Sequence, residues 1–230
     1  RGLVDDASFD ALVRDDAAVC SVMWVNNETG VTQPLAALAA RARARGVTVH
    51  TDAVQAFGKL PIDVATLPVD LLTLSGHKIG APKGIGAIYL RRGTPLEPLL
   101  FGGSQDRGRR PGTENVAAAV GLAVAAELAV AEREAECARL AALRDRLEGA
   151  ILAGVPDAVV HGRGAPRAPH IVNLSIPGVD GESLLMALDL RGIAASGGSA
   201  CQSGSAAPSH VLVAMGVAPE LASSAVRMSV

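Results

Sequence analysis

A chain of 230 residues, 49% hydrophobic and 19% charged, can bury a sizeable core and fits one large or two small domains. The composition excludes a disordered tail, a collagen-like repeat and a disulfide scaffold, and a net charge of −2 gives no electrostatic case for nucleic acid or an acidic membrane surface. Three cysteines (Cys20, Cys137, Cys201) fit reduced thiols in a cytoplasmic protein, no apolar run reaches the ~18 residues of a membrane span, and the first six residues do not read as a signal peptide.

Residues Ala17 to Val25 form a short apolar run that predicts a buried strand, followed by the polar turn Asn26-Asn27-Glu28-Thr29-Gly30. Pro34 to Arg45 is rich in Ala, Leu and Arg, with Pro at its start and Gly46 just past its end, which predicts a helix. Val47 to Thr51 is the next strand, and strand–helix–strand at this spacing implies a parallel sheet. Further strands are predicted at Asp70–Leu74 and Gly86–Leu90, then a Gly-rich loop from Phe101 to Gly112. One long, kinked helical segment is expected from Asn115 to about Leu152, with Glu136 and Arg139 paired three residues apart. Strands follow at Ala158–His161 and Ile171–Ile176, a helix at Glu182–Leu190, a strand at Ile193–Ser196, a short helix at Ser209–Met215 and a last strand at Ala225–Ser229. The fold class is therefore α/β, a mostly parallel sheet flanked by helices plus a smaller α+β C-terminal domain, with the boundary placed in the long helix: residues 1–132 and 133–230. The opening on Arg1 and the close inside a strand pattern at Val230 predict a fragment of a longer protein, lacking both ends.

Four places carry chemistry. Asp52 stands at the carboxyl end of a predicted strand, where open α/β sheets bind ligands; it either caps a helix over Ala53–Phe57 or pairs with a cationic ligand group. Lys78, one of three lysines against eighteen arginines, follows Ser75-Gly76-His77 at another strand end. Its apolar, glycine-rich neighbours predict a desolvated amine, suited to a Schiff base or held in a buried salt bridge. Gly112-Thr113-Glu114-Asn115 opens the long helix and either binds an anion such as phosphate or only caps it. Cys201 lies in the small-residue loop Ser196 to Ser205, the setting of a reactive thiol, whereas Cys20 reads as a core residue and Cys137 as a bystander. An acid for a pyridine nitrogen, an amine for a Schiff base, phosphate-binding groups and a thiol together describe a pyridoxal-phosphate enzyme. No metal site is read.

The motifs VNNETG at 25–30, HTDAVQAFG at 50–58, SGHKIGAPKGIGAIYLRRG at 75–93, RRPGTENV at 109–116 and SGGSACQSGS at 196–205 resemble, in order and over nearly the whole chain, the NifS/IscS-type cysteine desulfurases of aminotransferase class V. The resemblance implies the pyridoxal-phosphate-dependent transferase fold of type I and the conversion of L-cysteine to L-alanine, with sulfur held as a persulfide. It implies that Lys78 binds pyridoxal 5'-phosphate, with His77 before it. Asp52 would hold the pyridine nitrogen and Gln55 the phenolic oxygen. Asn27 would lie beside that oxygen and the substrate carboxylate. Ser75 and His77 would contact the phosphate, and Thr113 the phosphate of the neighbouring subunit in a homodimer. Cys201 would be the nucleophile, and Arg227 would clamp the substrate carboxylate. It further implies an iron–sulfur scaffold or a tRNA-thiolation enzyme as sulfur acceptor, with no direct nucleic-acid or membrane contact. The family's N-terminal phosphate-binding turn and ring-stacking histidine have no counterpart in these 230 residues, so part of the cofactor cradle is expected to be missing. An aminotransferase, a selenocysteine lyase and a fragment that only dimerises remain as alternatives.

Overall fold

The computed structural model describes residues 1–197 and 208–230. The chain divides into two units: one holds Asp10–Met23 and Leu35–Glu132, the other Arg1–Phe9, Trp24–Pro34 and Arg133–Val230. The division falls in the predicted long helix, and two N-terminal stretches return to the C-terminal unit.

After helix α1 (Asp6–Leu12), the first unit builds a four-stranded sheet in the order β1 (Val19–Met23), β2 (Thr48–Asp52), β3 (Leu71–Ser75), β4 (Gly86–Leu90). The β1–β2 and β2–β3 pairings are parallel, and β3–β4 is antiparallel. The parallel pair requires a crossover, which helix α2 (Leu35–Ala44) supplies. Its Leu35, Leu38, Ala39 and Ala42 recur at helical spacing and are buried. Gly46 takes φ 74° just beyond it, as the sequence pattern predicts. Arg41 on α2 and Arg45 just past its end pair with Asp10, so the charged side is tied as well.

The long helical segment is two helices, α3 (Val116–Ala131) and α4 (Arg133–Gly154), which part at Glu132. Helix α3 belongs to the sheet unit. It approaches the segment after β3 through small residues: a Cβ on Gly121 would lie 2.9 Å from Pro82 Cδ, and Ala118 and Ala125 are buried.

The C-terminal unit carries a small antiparallel sheet, β5 (Val159–Val160), β6 (Ile171–Ser175) and β7 (Ala225–Ser229). Val160, Val172 and Leu174 on one face pack with Leu147, Ile151 and Leu152 of α4. The unit is completed by α5 (Gly181–Asp189), α6 (His210–Ala214) and α7 (Pro219–Ser223), with Leu212, Ala222 and Ala225 as a second apolar cluster. Asp180 caps α5 and Ser209 caps α6 by accepting from Ser183 and Leu212 N–H groups.

Two expectations are corrected. Ile193–Ser196 is not a strand: only Ser196 pairs, through one isolated bridge to Arg227. Its apolar stretch is too short to build a ladder beyond that point. Residues Ala53–Phe57 form turns rather than a helix, although Phe57 N–H does reach the Ala53 carbonyl at 2.8 Å. Gly58, at φ 74°, ends that run before a second turn can propagate.

Candidate active site

In the sheet unit the predicted residues gather at the carboxyl ends of the neighbouring parallel strands β2 and β3. Asp52 closes β2 and stands in register between Met23 of β1 and Thr73 of β3. Its Oδ1 accepts from Val54 N–H at 2.8 Å, which fixes the half-buried carboxylate at the strand end. The cap predicted for Asp52 is thus made to a turn, and Gln55 lies half-buried in it.

Ser75 ends β3, and the chain enters a single 3₁₀ turn, Gly76–Ile79, that carries His77 and Lys78. Ser75 stands at the start of that turn with extended φ and ψ, yet its hydroxyl does not cap it. The hydroxyl instead meets His77 Nδ1 at 2.8 Å, so the two side chains form one polar pair. The turn closes through Ala81 N–H on the Gly76 carbonyl (3.0 Å) and Gly76 N–H on the Ile85 carbonyl (2.9 Å). Gly80 leaves it at φ 84°, a conformation that favours glycine. Gly86 lets β4 approach: a Cβ there would fall 2.6 Å from the Leu74 carbonyl oxygen.

Lys78 is exposed on this turn, and His77 with it. This corrects the expected desolvated amine and its buried salt bridge. The neighbouring glycines have no bulk to cover the side chain, and the turn presents it outward. Thr113 is exposed in the loop before α3, and the capping role falls to Asn115, whose Oδ1 accepts from Ala118 N–H at 3.1 Å. Arg109 and Arg110 are exposed in the same loop.

In the C-terminal unit, Arg227 on β7 donates through Nη1 to the Asn27 carbonyl at 3.1 Å. The turn that carries Asn27 is held from within. Asn26 Oδ1 accepts from the N–H groups of Glu28 (3.0 Å) and Thr29 (2.9 Å), and Gly30 N–H returns to the Asn26 carbonyl. Cys201 lies outside the described residues. Cys20 is buried on β1, where desolvation pushes its thiol up and keeps it protonated.

Sequence reasoning passed over four buried or half-buried polar residues. Glu28 is 1% exposed and accepts the Ser209 hydroxyl at 2.5 Å. On β2, His50 bridges neighbouring strands, with Nδ1 2.7 Å from Ser21 Oγ and Nε2 3.1 Å from Thr73 Oγ1. Burial holds its pKa below the ordinary 6.5, against the opposing charge of Asp52. His161 meets Ser175 Oγ at 2.8 Å and is held low by burial alone. Asn173 is wholly buried in β6. A polar residue within a strand pattern gives no sign of its partner across the sheet, although the VNNETG motif already marked Glu28's surroundings.

An acid, a hydroxyl–imidazole pair and a primary amine on two adjacent strand ends can bind a group with a basic ring nitrogen, an anionic tail and a carbonyl carbon. Comparison with known proteins points the same way. The model of the family described as aminotransferase class-V matches residues 1–230. The chain is 50% identical to "Cysteine desulfurase NifS" of Azotobacter vinelandii over all its length and 57% of that protein, and 47% identical to a cysteine desulfurase of Klebsiella pneumoniae with the same coverage. Among solved structures it resembles a NifS-like protein from Rickettsia africae (TM-score 0.91, 32% identity, all of this chain and 61% of that one) and DndA from Streptomyces lividans (TM-score 0.84, 42% identity, 99% and 64%). The chain thus spans somewhat more than half the length of the curated relatives it matches. By its sequence over the whole chain and its α/β fold, it belongs to the class-V aminotransferase family.

Proposed function

We propose that this protein is a cysteine desulfurase that uses pyridoxal 5'-phosphate to convert L-cysteine to L-alanine and carries the sulfur as a persulfide on Cys201. The observation that carries this reading is the convergence of Asp52, the Ser75–His77 pair and Lys78 at the carboxyl ends of β2 and β3. That donor set suits the cofactor: a fixed carboxylate for the pyridine nitrogen, a hydroxyl and an imidazole for the phosphate, and an amine for the aldehyde carbon. Gln55 would reach the phenolic oxygen from the turn after Asp52, and Thr113 would serve the phosphate of a second subunit. When bound, the cofactor supplies an electron sink for charge at the substrate's α-carbon.

The chain's own residues supply the rest. Arg227 turns its guanidinium to the substrate carboxylate and Asn27 borders it, which orients the Cα–H bond. The Lys78 amine would take the proton from Cα and later return one. Cys201 Sγ, as the thiolate, forms an S–S bond with the substrate sulfur. The C–S bond breaks with its electron pair on carbon, which takes a proton as alanine forms. The sulfur then leaves Cys201 for a thiol or acceptor protein, in iron–sulfur cluster assembly or tRNA thiolation.

We further propose a cytoplasmic homodimer, with residues 1–132 as the cofactor domain and 133–230 as the domain of the nucleophile. Among the described residues no helix is long and apolar enough to cross a membrane. Helix α3 exposes Val116, Val120, Val124 and Leu128 at a spacing of four, and Leu99, Leu100 and Phe101 are exposed in the loop before it. Apolar stripes of this kind are what subunit interfaces cover. The test is the full-length protein with pyridoxal phosphate, L-cysteine and a thiol reductant. Alanine and sulfide are expected in equal amounts; turnover that yields no alanine overturns the reading.

A further inference from the structure

The small sheet of the C-terminal unit carries a polar row. His161 N–H donates to the Asn173 carbonyl at 2.8 Å, Asn173 is the Cα partner of Arg227, and Arg227 is bridged on its other side to Ser196. Residues paired across antiparallel strands project to the same face. His161, Asn173, Arg227 and Ser196 therefore share the face opposite Val172 and Leu174, which pack on α4. The Asn27 turn lies on that polar face. Ile171, two residues before Asn173, stands so close to Gly30 that a Cβ there would be 3.1 Å from its own. Arg227 reaches the Asn27 carbonyl.

Within this row His161 has Ser175 as its partner. Among the described residues Asn173 has none: the residue is 0% exposed, and neither Oδ1 nor Nδ2 has a hydrogen-bond partner there. Buried carboxamides are almost always paired. The residue beside this one is an arginine with five N–H donors, of which one is given to Asn27.

We propose that Asn173 is a positioning residue for Arg227. Its Oδ1 takes one guanidinium N–H as the arginine turns from the Asn27 carbonyl toward a ligand carboxylate, leaving two parallel donors for that carboxylate. A neutral amide suits the task because it orients the fork without neutralising it. An aspartate at the same place would pair with the guanidinium and compete with the ligand. The inference rests on the desulfurase reading only for the identity of the ligand, the α-carboxylate of L-cysteine.

The test uses the full-length holoenzyme and a double-mutant cycle of Asn173→Ala and Arg227→Lys. It reads kcat and KM for L-cysteine, the Kd of the product L-alanine by calorimetry, and the melting temperature. Asn173→Ala is expected to raise KM and the alanine Kd about 10-fold, the loss of a hydrogen bond to a charged group, with kcat within about twofold. In the Arg227→Lys background the same change should weaken alanine binding less than about twofold. Asn173→Asp should raise KM at least as much as Asn173→Ala. If Asn173→Ala does not fold, Asn173→Ser carries the same expectation, since it keeps a polar atom in the strand and loses only the reach of the carboxamide. An unchanged KM, or an equal loss of affinity in both arginine backgrounds, overturns the inference. A wild-type protein that makes no alanine from L-cysteine overturns the desulfurase reading itself, a result separable from any change at Asn173.

Discussion

The reactivity proposed for Lys78 rests on its place rather than on burial. The lysine stands exposed on a one-turn 3₁₀ helix, three residues past the end of β3, near a serine hydroxyl committed to His77 and not to capping. Borohydride reduction of the full-length holoprotein followed by peptide mapping should find the phosphopyridoxyl group on Lys78; finding it on Lys59 or Lys83 would refute the assignment. The two histidines held low by burial, His50 and His161, make a separate prediction. Their folded-state pKa values lie below the unfolded 6.5, so between the two the unfolded chain binds more protons. Their contribution to stability is complete above that value and is lost as pH falls through the window beneath it. Urea midpoints should therefore drop between about pH 7.5 and about pH 5.5, and His161→Gln should flatten the drop. A midpoint independent of pH in wild type would contradict this. None of this was legible in the chain, because a histidine's burial and partner are set by the strands beside it. Lys78 stood out in the sequence for the opposite reason: its motif is local, whereas its exposure is set by the turn that carries it.

At the scale of elements, α3 closely approaches the segment that follows the Lys78 turn, and the proposed site is expected to depend on that approach. Gly121 has no room for a Cβ, because the rigid Pro82 ring lies 2.9 Å away. Gly121→Ala should shift that segment and weaken pyridoxal phosphate binding, read by fluorescence titration, despite alanine's better helix propensity. Gly149→Ala on α4, where a Cβ meets nothing within 4 Å, should instead stabilise by up to ~1 kcal/mol. Equal effects at the two glycines would show that the close approach is immaterial. In the small sheet, Leu174→Ala empties a 1%-exposed position against α4 and should cost roughly 2–5 kcal/mol by chemical denaturation. Strands and helices were readable where one period persisted over several residues, as in α2 and β6. Ile193–Ser196 and Ala53–Phe57 misled because their short patterns lacked a neighbouring strand or the length to propagate. The break at Glu132 had no proline or glycine to announce its position, and α3 and α4 belong to different units.

At the scale of the molecule, the residues of the proposed chemistry belong to two units. The carboxylate, the hydroxyl–imidazole pair and the lysine sit on the sheet unit, whereas Arg227 and the Asn27 turn sit on the C-terminal unit. The central claim is that Cys201 receives the sulfur, and the other thiols sharpen the test. Cys20 is buried with its thiol held protonated, and Cys137 lies half-buried along α4. The decisive measurement is a single turnover of the full-length holoprotein with L-cysteine and no reductant, alkylated and mapped by mass spectrometry, in wild type and in Cys201→Ser. The account predicts one added sulfur atom on the Cys201 peptide with an equivalent of alanine, and neither in Cys201→Ser, which still carries its cofactor on Lys78. Added sulfur on Cys20 or Cys137, or alanine formed by Cys201→Ser at the wild-type rate, would contradict it.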